Sequence, residues 1–270
     1  MDFITFFNQL IATDQLLFKI VLGSFFGLCL GLTGVGGGVL LIPMLQIFCG
    51  METILAVGTA SMISSLVKIN ASIVHIRAKN VSWRAIGYLF IGAVPMTLII
   101  TQVVIYFSNH PIHQATTQMI VQVLVMTVMA GSLISVVLKF RHLNQEKSAP
   151  NPAKNNNKTA IFSGAFCGTI LGSTGVGGGV LLLPILNSVL NLNIKKAIGS
   201  SVVLALILTA LTAIAYAKGG QSDLHTALLF VIGSFAGVQV AAKLIHSLSE
   251  KRIYLITIAV LSLSLLLSLY

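Results

Sequence analysis

The sequence predicts an all-α polytopic membrane protein built as two inverted repeats, each a glycine-broken half-helix hairpin followed by about three transmembrane helices. Three observations predict it. First, the 270-residue chain is 56% hydrophobic and only 8% charged, with a mean hydropathy of +0.97. A soluble domain carries roughly 25% charged residues, so this chain cannot clothe a globular surface in polar groups, and its solvent is lipid. Second, long apolar runs recur as far as Tyr270. Third, one segment is written twice: Thr33-Gly34-Val35-Gly36-Gly37-Gly38-Val39-Leu40-Leu41-Ile42-Pro43 returns as Thr174-Gly175-Val176-Gly177-Gly178-Gly179-Val180-Leu181-Leu182-Leu183-Pro184, at an offset of 174 − 33 = 141 residues.

Taken in order, the start, Met1 to Gln15, does not read as a cleaved signal peptide. It has no basic segment, and Asp2 and Asp14 stand where positive charge would be expected. Region 17–49 then breaks in the middle at the first motif, leaving two arms of roughly 15 residues, each about 22–24 Å long at helical rise. Such an arm is short for a full crossing of a ~30 Å hydrocarbon core but long enough to reach past its middle. Spans follow near 54–76, 84–107 and 116–138. Lys139–Lys158, rich in Lys, Asn and Pro without apolar periodicity, is a linker. The pattern repeats with a second broken region at 159–190 and spans near 195–217, 225–246 and 253–270. The organisation is therefore an N-terminal repeat 1–138, a cytoplasmic linker 139–158 and a C-terminal repeat 159–270, together one membrane domain. At the same offset Gly23, Phe25, Gly27, Leu30 and Gly31 match Gly164, Phe166, Gly168, Leu171 and Gly172, and Ala56, Gly58 and Gly92 match Ala197, Gly199 and Gly233.

Charge sets the orientation. The linker carries Lys139, Arg141, Lys147, Lys154 and Lys158 against Glu146, which makes it cytoplasmic. Counting back, 77–84 with Arg77, Lys79 and Arg84 is inside, and 108–115, free of Lys and Arg, is outside. If 159–190 returns to its starting side, the turns with Lys195 and Lys196 and with Lys251 and Arg252 are also inside; a parallel repeat would put them outside. The inverted arrangement fits, and it places both termini outside. The net charge of +10 then reflects these loops, although a positive field favouring anions would use the same residues. No nucleic-acid partner and no cofactor is expected. Cys29, Cys49 and Cys167 have no metal-ligand spacing and read as small packing residues.

The motif itself carries the chemistry. Consecutive glycines free backbone N–H groups, and the run Val39–Leu45 restarts a half-helix whose N-terminus presents unpaired N–H groups and a positive dipole end. That is an anion site made of backbone. An inverted pair would bring two of them to the midplane, so the expected substrate-binding residues include Thr33, Gly34, Gly36, Gly37, Gly38, Thr174, Gly175, Gly177, Gly178 and Gly179. The flanking glycines, at four-residue spacing, read equally well as close helix packing. A phosphate-binding P-loop is excluded because no Lys-Ser/Thr follows and no βαβ context exists. Lys68, inside the 54–76 span, is a functional candidate, against the plainer reading that it snorkels to the cytoplasmic edge. Asn70, Ser61, Ser64 and Ser65 lie near it, and the second half offers Ser200, Ser201, Thr209 and Thr212. All six acidic residues, Asp2, Asp14, Glu52, Glu146, Asp223 and Glu250, fall at termini or turns. No carboxylate is therefore placed to bind Na⁺ or relay protons.

The twin motif, the prolines Pro43 and Pro184 after it, and the polar central break together resemble the TauE/SafE family of sulfite and organosulfonate exporters, over nearly the whole chain. The resemblance implies a secondary transporter, not an enzyme, that moves small sulfur-containing anions out across the cytoplasmic membrane. It transfers no catalytic residue and does not fix the substrate. An anion channel built on the glycine tips, an importer of a sulfur anion such as thiosulfate, and a membrane-embedded enzyme or assembly factor are the alternatives. The last would need a His, Asp, Glu or Cys cluster at membrane depth, which the sequence lacks. Oligomeric state is not readable, a homodimer being one option.

Overall fold

The computed structural model describes residues 15–33, 38–141, 157–175, 181–244 and 248–268. Every regular element among them is helical. In chain order they are α1 (Leu16–Thr33), α2 (Gly38–Cys49), α3 (Thr53–Arg77), α4 (Trp83–Ser108), α5 (Gln114–Arg141), α6 (Asn157–Thr174), α7 (Leu182–Pro184), α8 (Ile194–Lys218), α9 (Leu224–Leu244) and α10 (Glu250–Leu267). Helices α3, α4, α5, α8 and α9 are each long and apolar enough to cross a membrane, and α1 and α2 are shorter apolar helices. The protein is a multi-pass helical membrane protein.

The 141-residue offset survives in three dimensions. Adding it to the bounds of α1 and α3 returns those of α6 and α8, and adding it to Trp83 returns Leu224. Turns match as well. Left-handed backbone occurs at Gly50 (φ 64°) and its mate Asn191 (φ 51°), and at Lys79 (φ 55°) and its mate Gly220 (φ 72°). Asparagine and glycine tolerate this conformation best, and Lys79 adopts it because its turn is held by the Asn80 N–H donating to His75 O at 3.0 Å, as Gln221 N–H donates to Tyr216 O at 2.8 Å.

Helix pairs form across the repeat boundary. α1 packs along α9, and α6 packs along α4. Glycines make these contacts backbone to backbone. A Cβ at Gly23 or Gly27 would lie 2.4 Å from Phe230 O or 2.2 Å from Ser234 O, and at their mates Gly164 or Gly168 it would lie 2.3 Å from Leu89 O or Ala93 O. Each of these contacts has its mate: residue i meets j′ and i′ meets j, the mark of a two-fold relation between like units. The numbering rises together along α1 and α9, so they run parallel. Along α3 and α8 it runs oppositely: the start of α3 at Gly58 meets Gln221 O beyond the end of α8, and the start of α8 at Gly199 meets Asn80 O beyond the end of α3. Equivalent long helices are thus antiparallel, and the axis relating them is perpendicular to the helices.

The α3–α8 crossing is pinned by a matched pair of hydrogen bonds. Asp223 N–H donates to Thr59 Oγ1 at 2.9 Å, and Ser82 N–H donates to Ser200 Oγ at 2.8 Å. Each hydroxyl satisfies a turn N–H that lipid or core could not. Thr59→Val and Ser200→Ala should each cost about 1–3 kcal/mol, by similar amounts, in thermal unfolding in detergent. A cost confined to one of them would show that the two crossings are not equivalent.

One expectation is corrected. The first arm after a motif, α2, is a regular 12-residue helix. The second does not restart as a half-helix: three α-helical residues, Leu182–Pro184, pass into a π-helical turn, Ile185–Val189. Leu190 N–H reaches back to Ile185 O at 2.9 Å, and the Asn187 side chain donates to Leu192 O at 3.0 Å. Pro43 sits inside α2, so the matching Pro184 is not the cause. Where the first copy has Gln46, the second has Asn187, and asparagine favours local bonds over the helical ladder.

The two ends of the bundle differ in charge. At the end to which α5 runs and from which α6 starts, here the linker end, stand Arg77, Lys79, Arg84, Arg141, Lys195, Lys196, Lys251 and Arg252. The Phe140 and Tyr254 rings, 6.1 Å apart, bring α5 and α10 together there. At the opposite end are Lys19, which donates to Thr226 Oγ1, and Glu52, Lys218 and Asp223.

Candidate functional site

Helix α6 rises about 27 Å over its 18 residues. This carries its C-terminus past the middle of the bundle, to the flank of α3. It stops at Gly175, whose φ of 63° ends the helix and whose N–H returns to Leu171 O at 2.8 Å. A side chain at Gly175 would meet Ser61 Oγ at 2.6 Å and Val57 O at 3.0 Å, so the tip lies directly on α3. Glycine is required there twice over, by conformation and by contact.

From Ser61 a polar stripe runs along α3 at the spacing of one helix face: Ser61, then Ser64 and Ser65, then Lys68. The serines are buried, and Ser61 and Ser65 return their hydroxyl protons to Val57 O and Met62 O, both at 2.8 Å. Lys68 is half-buried and donates to Ser64 Oγ. That bond gives the direction of the Lys68 side chain. A snorkelling side chain would reach for Arg77 and the linker end, whereas this one bends the other way, toward the midpoint of α3, following the N-terminal tilt of helical side chains. Among the described residues no carboxylate bonds it. An ammonium held near mid-membrane with only a hydroxyl partner is strongly disfavoured unless an anion joins it.

The carbonyl end of α6, which would repel an anion, is covered by hydroxyls. Thr97 and Thr101 of α4 donate to Gly168 O at 3.2 Å and Gly172 O at 3.0 Å. Tyr216 of α8 donates to the same Gly172 O at 3.1 Å, and Thr174 donates to Ile170 O at 2.6 Å. These donors blunt the negative end of the helix dipole at the tip.

The expected residues divide accordingly. Ser61, Ser65, Lys68, Thr174 and Gly175 stand on or beside this stripe. Gly38 is buried at the start of α2, and Thr33 ends α1. Gly34, Gly36, Gly37, Gly177, Gly178 and Gly179 lie outside the described residues, as does the centre of the linker. Asn70 is exposed, two residues and therefore roughly 200° round α3 from Lys68. Ser200 is engaged in the helix crossing, and Ser201 donates to Ile198 O at 2.8 Å. Cys29 and Cys167 are buried in the two apolar cores. Sequence reasoning missed Thr97, Thr101 and Tyr216. The signal was available in the four-residue spacing of the threonines, which matches the Gly168–Gly172 spacing they face.

Residues 19–268 match the family model described as Sulfite exporter TauE/SafE. The chain belongs to the TauE/SafE family. Relatives share most of its length: a probable membrane transporter protein, YjnA, of Bacillus subtilis (strain 168) is 29% identical over 91% of this chain and 96% of its own. A probable membrane transporter protein of Xylella fastidiosa (strain 9a5c) is 26% identical over 83% and 82%, and YunE of Bacillus subtilis, a probable membrane transporter protein, is 22% identical over 88% and 91%. No solved structure matches the chain significantly. As a TauE/SafE protein it is a membrane transporter. Its described residues hold no group of three or more His, Cys, Asp or Glu side chains that could bind a metal.

Proposed function

We propose that this TauE/SafE transporter exports a small sulfur-containing oxyanion, sulfite or a sulfonate, held between the Gly175 tip and Lys68. The observation that carries the reading is the Lys68 ammonium, turned inward to Ser64 with no carboxylate partner among the described residues. The N-terminus of α2 at Gly38 supports it, since it favours negative charge, and the capped carbonyls of α6 repel an anion less than bare ones would. The short α7 adds no comparable dipole, so the first motif supplies the helix N-terminus and the second supplies the tip. Each repeat would rock against the other about this site.

The basic linker end supports a cytoplasmic placement of that end in the inner membrane, with both termini outside. An anion leaving a cell that is negative inside gains about 2.3 kcal/mol per charge per 100 mV. Export can then be driven by membrane potential alone, in keeping with the absence of acidic residues from the spans.

The test is flux in liposomes offered sulfite, thiosulfate, sulfate, sulfoacetate, taurine or a carboxylate control, with and without an imposed potential. Saturable movement of one sulfur anion, faster when the potential favours exit, is the expected result. Equal flux of the carboxylate would remove the sulfur specificity. Strict Na⁺ or proton dependence at fixed potential would remove the driving force proposed.

A further inference from the structure

The two repeats are mates at their crossings but not at their ends, and the difference has a direction. At the end opposite the linker, the last turns of α8 are sealed. Tyr216 is wholly buried with its hydroxyl on Gly172 O, and Thr212 and Ala215, on the same stretch, are buried at 0% and 6% exposure. Ser108 at the end of α4 is buried, and a Cβ at Gly219 would lie 2.5 Å from Ile105 Cγ2. Side chains then bridge the repeats: Asn109 Nδ2 donates to Gly219 O at 3.3 Å, and Gln221 Nε2 donates to Asn109 Oδ1 at 2.9 Å.

Several mates of these residues, 141 positions away at the linker end, are more exposed. Val74, mate of Ala215, is 57% exposed, and Ala71, mate of Thr212, is exposed. Ser249, mate of Ser108, is exposed. His75, mate of Tyr216, is half-buried, and its Nδ1 makes no hydrogen bond although the atom is buried. The residues differ in kind too. Gly219 and Gln221 bond Asn109, whereas the residues at the matching positions are Ala78, Asn80 and Glu250.

In an object with a perpendicular two-fold axis, such an imbalance is what distinguishes a carrier open to one side from the same carrier open to the other. We propose that this structure is the form open at the linker end, and that Tyr216, Asn109 and Gln221 are the gate of the opposite end. The other form gives each repeat the contacts now held by its mate. Ala71 and Val74 go under cover, and Thr212 and Ala215 are uncovered as Tyr216 leaves Gly172. The inference rests on the reading of the protein as a carrier, but it concerns which side is open and needs no knowledge of the substrate.

The experiment uses the full chain in native membranes, with Cys29, Cys49 and Cys167 replaced by alanine and single cysteines introduced as Val74→Cys or Ala215→Cys. A membrane-impermeant maleimide is applied from each side. Val74→Cys should react from the linker side at least ten-fold faster than Ala215→Cys reacts from either side. Adding Tyr216→Phe, which removes one hydroxyl and no volume from the core, should raise Ala215→Cys labelling from the opposite side several-fold and lower that of Val74→Cys. Asn109→Ala with Gln221→Ala should act in the same direction. If that pair fails to fold, judged by size-exclusion, the Tyr216→Phe result decides. Labelling of Ala215→Cys as fast as Val74→Cys would overturn the proposal, as would an unreactive Val74→Cys, which would mean that this face meets lipid. So would gate substitutions that leave both rates unchanged. Failure to find any transported sulfur anion would sink the function proposed above and leave this labelling pattern standing.

Discussion

Lys68→Gln is expected to cut anion flux roughly 10- to 100-fold while leaving the protein folded. The side chain stands fifteen residues into α3 (68 − 53) and nine short of Arg77 (77 − 68). At helical rise it is therefore about 14 Å from the basic end, and it bends away from that end toward Ser64. Glutamine, one bond shorter, keeps a donor for Ser64 Oγ but removes the charge. A hydrogen bond to a charged group contributes about 1.5–3 kcal/mol, so kcat/KM for the transported anion should fall roughly 10- to 100-fold. Stability should hold or rise, because an uncompensated ammonium inside a membrane span is itself unfavourable. Lys68→Arg should keep partial activity, since the charge remains but the fork replaces a point donor. Flux and thermal unfolding, measured on one preparation of each variant, separate these effects. Flux within two-fold of the parent in Lys68→Gln would remove Lys68 from the site.

The second large effect is structural. Gly92→Ala and Gly233→Ala should each destabilise the protein by about 3 kcal/mol or more, and by nearly equal amounts. The added Cβ would fall 2.0 Å from Ile161 O in the first case and 2.1 Å from Ile20 O in the second. Both obstacles are backbone, which cannot rotate aside, so a helix axis has to move. The same substitution at Gly87 or Gly131, where a Cβ meets nothing within 4 Å, should be neutral or stabilising by up to about 1 kcal/mol, the helix preference for alanine. Melting temperatures of the four variants in one detergent are the measurement. Similar losses at all four positions would mean that the effect is generic to glycine and not to the crossings.

These particulars also show what the sequence could and could not disclose. The span pattern and the repeat were legible because membrane length and the offset of Gly58, Gly92, Gly199 and Gly233 are written in residue identity. The pairing of α1 with α9 and of α6 with α4 was not, because glycine spacing says that a close neighbour exists but not which helix provides it. The π-turn after the second motif escaped for a different reason. Asn187 departs only mildly from Gln46, and its local bond to Leu192 O shows only in the folded chain. For the site, Lys68 was visible as a charge in an apolar run, but the direction of its stem depended on the rotamer. Tyr216 was hidden by its neighbourhood, since its role appears only beside Gly172, on a helix far away in the chain.

The exchange of helices between repeats has a consequence for how the protein is made. α1 ends at Thr33, and α9, the helix against which its glycines close, begins at Leu224, 191 residues later (224 − 33). At synthesis rates of about 5–20 residues per second, α1 waits roughly 10–40 s in the bilayer before its partner exists. α6 has no such delay, because α4 precedes it. The N-terminal half therefore enters the membrane with one short helix unmatched along its glycine face, and its assembly completes only once α9 has been made. A nascent chain halted after the linker should be the form most readily lost to proteolysis, while one halted after α9 should already resist it.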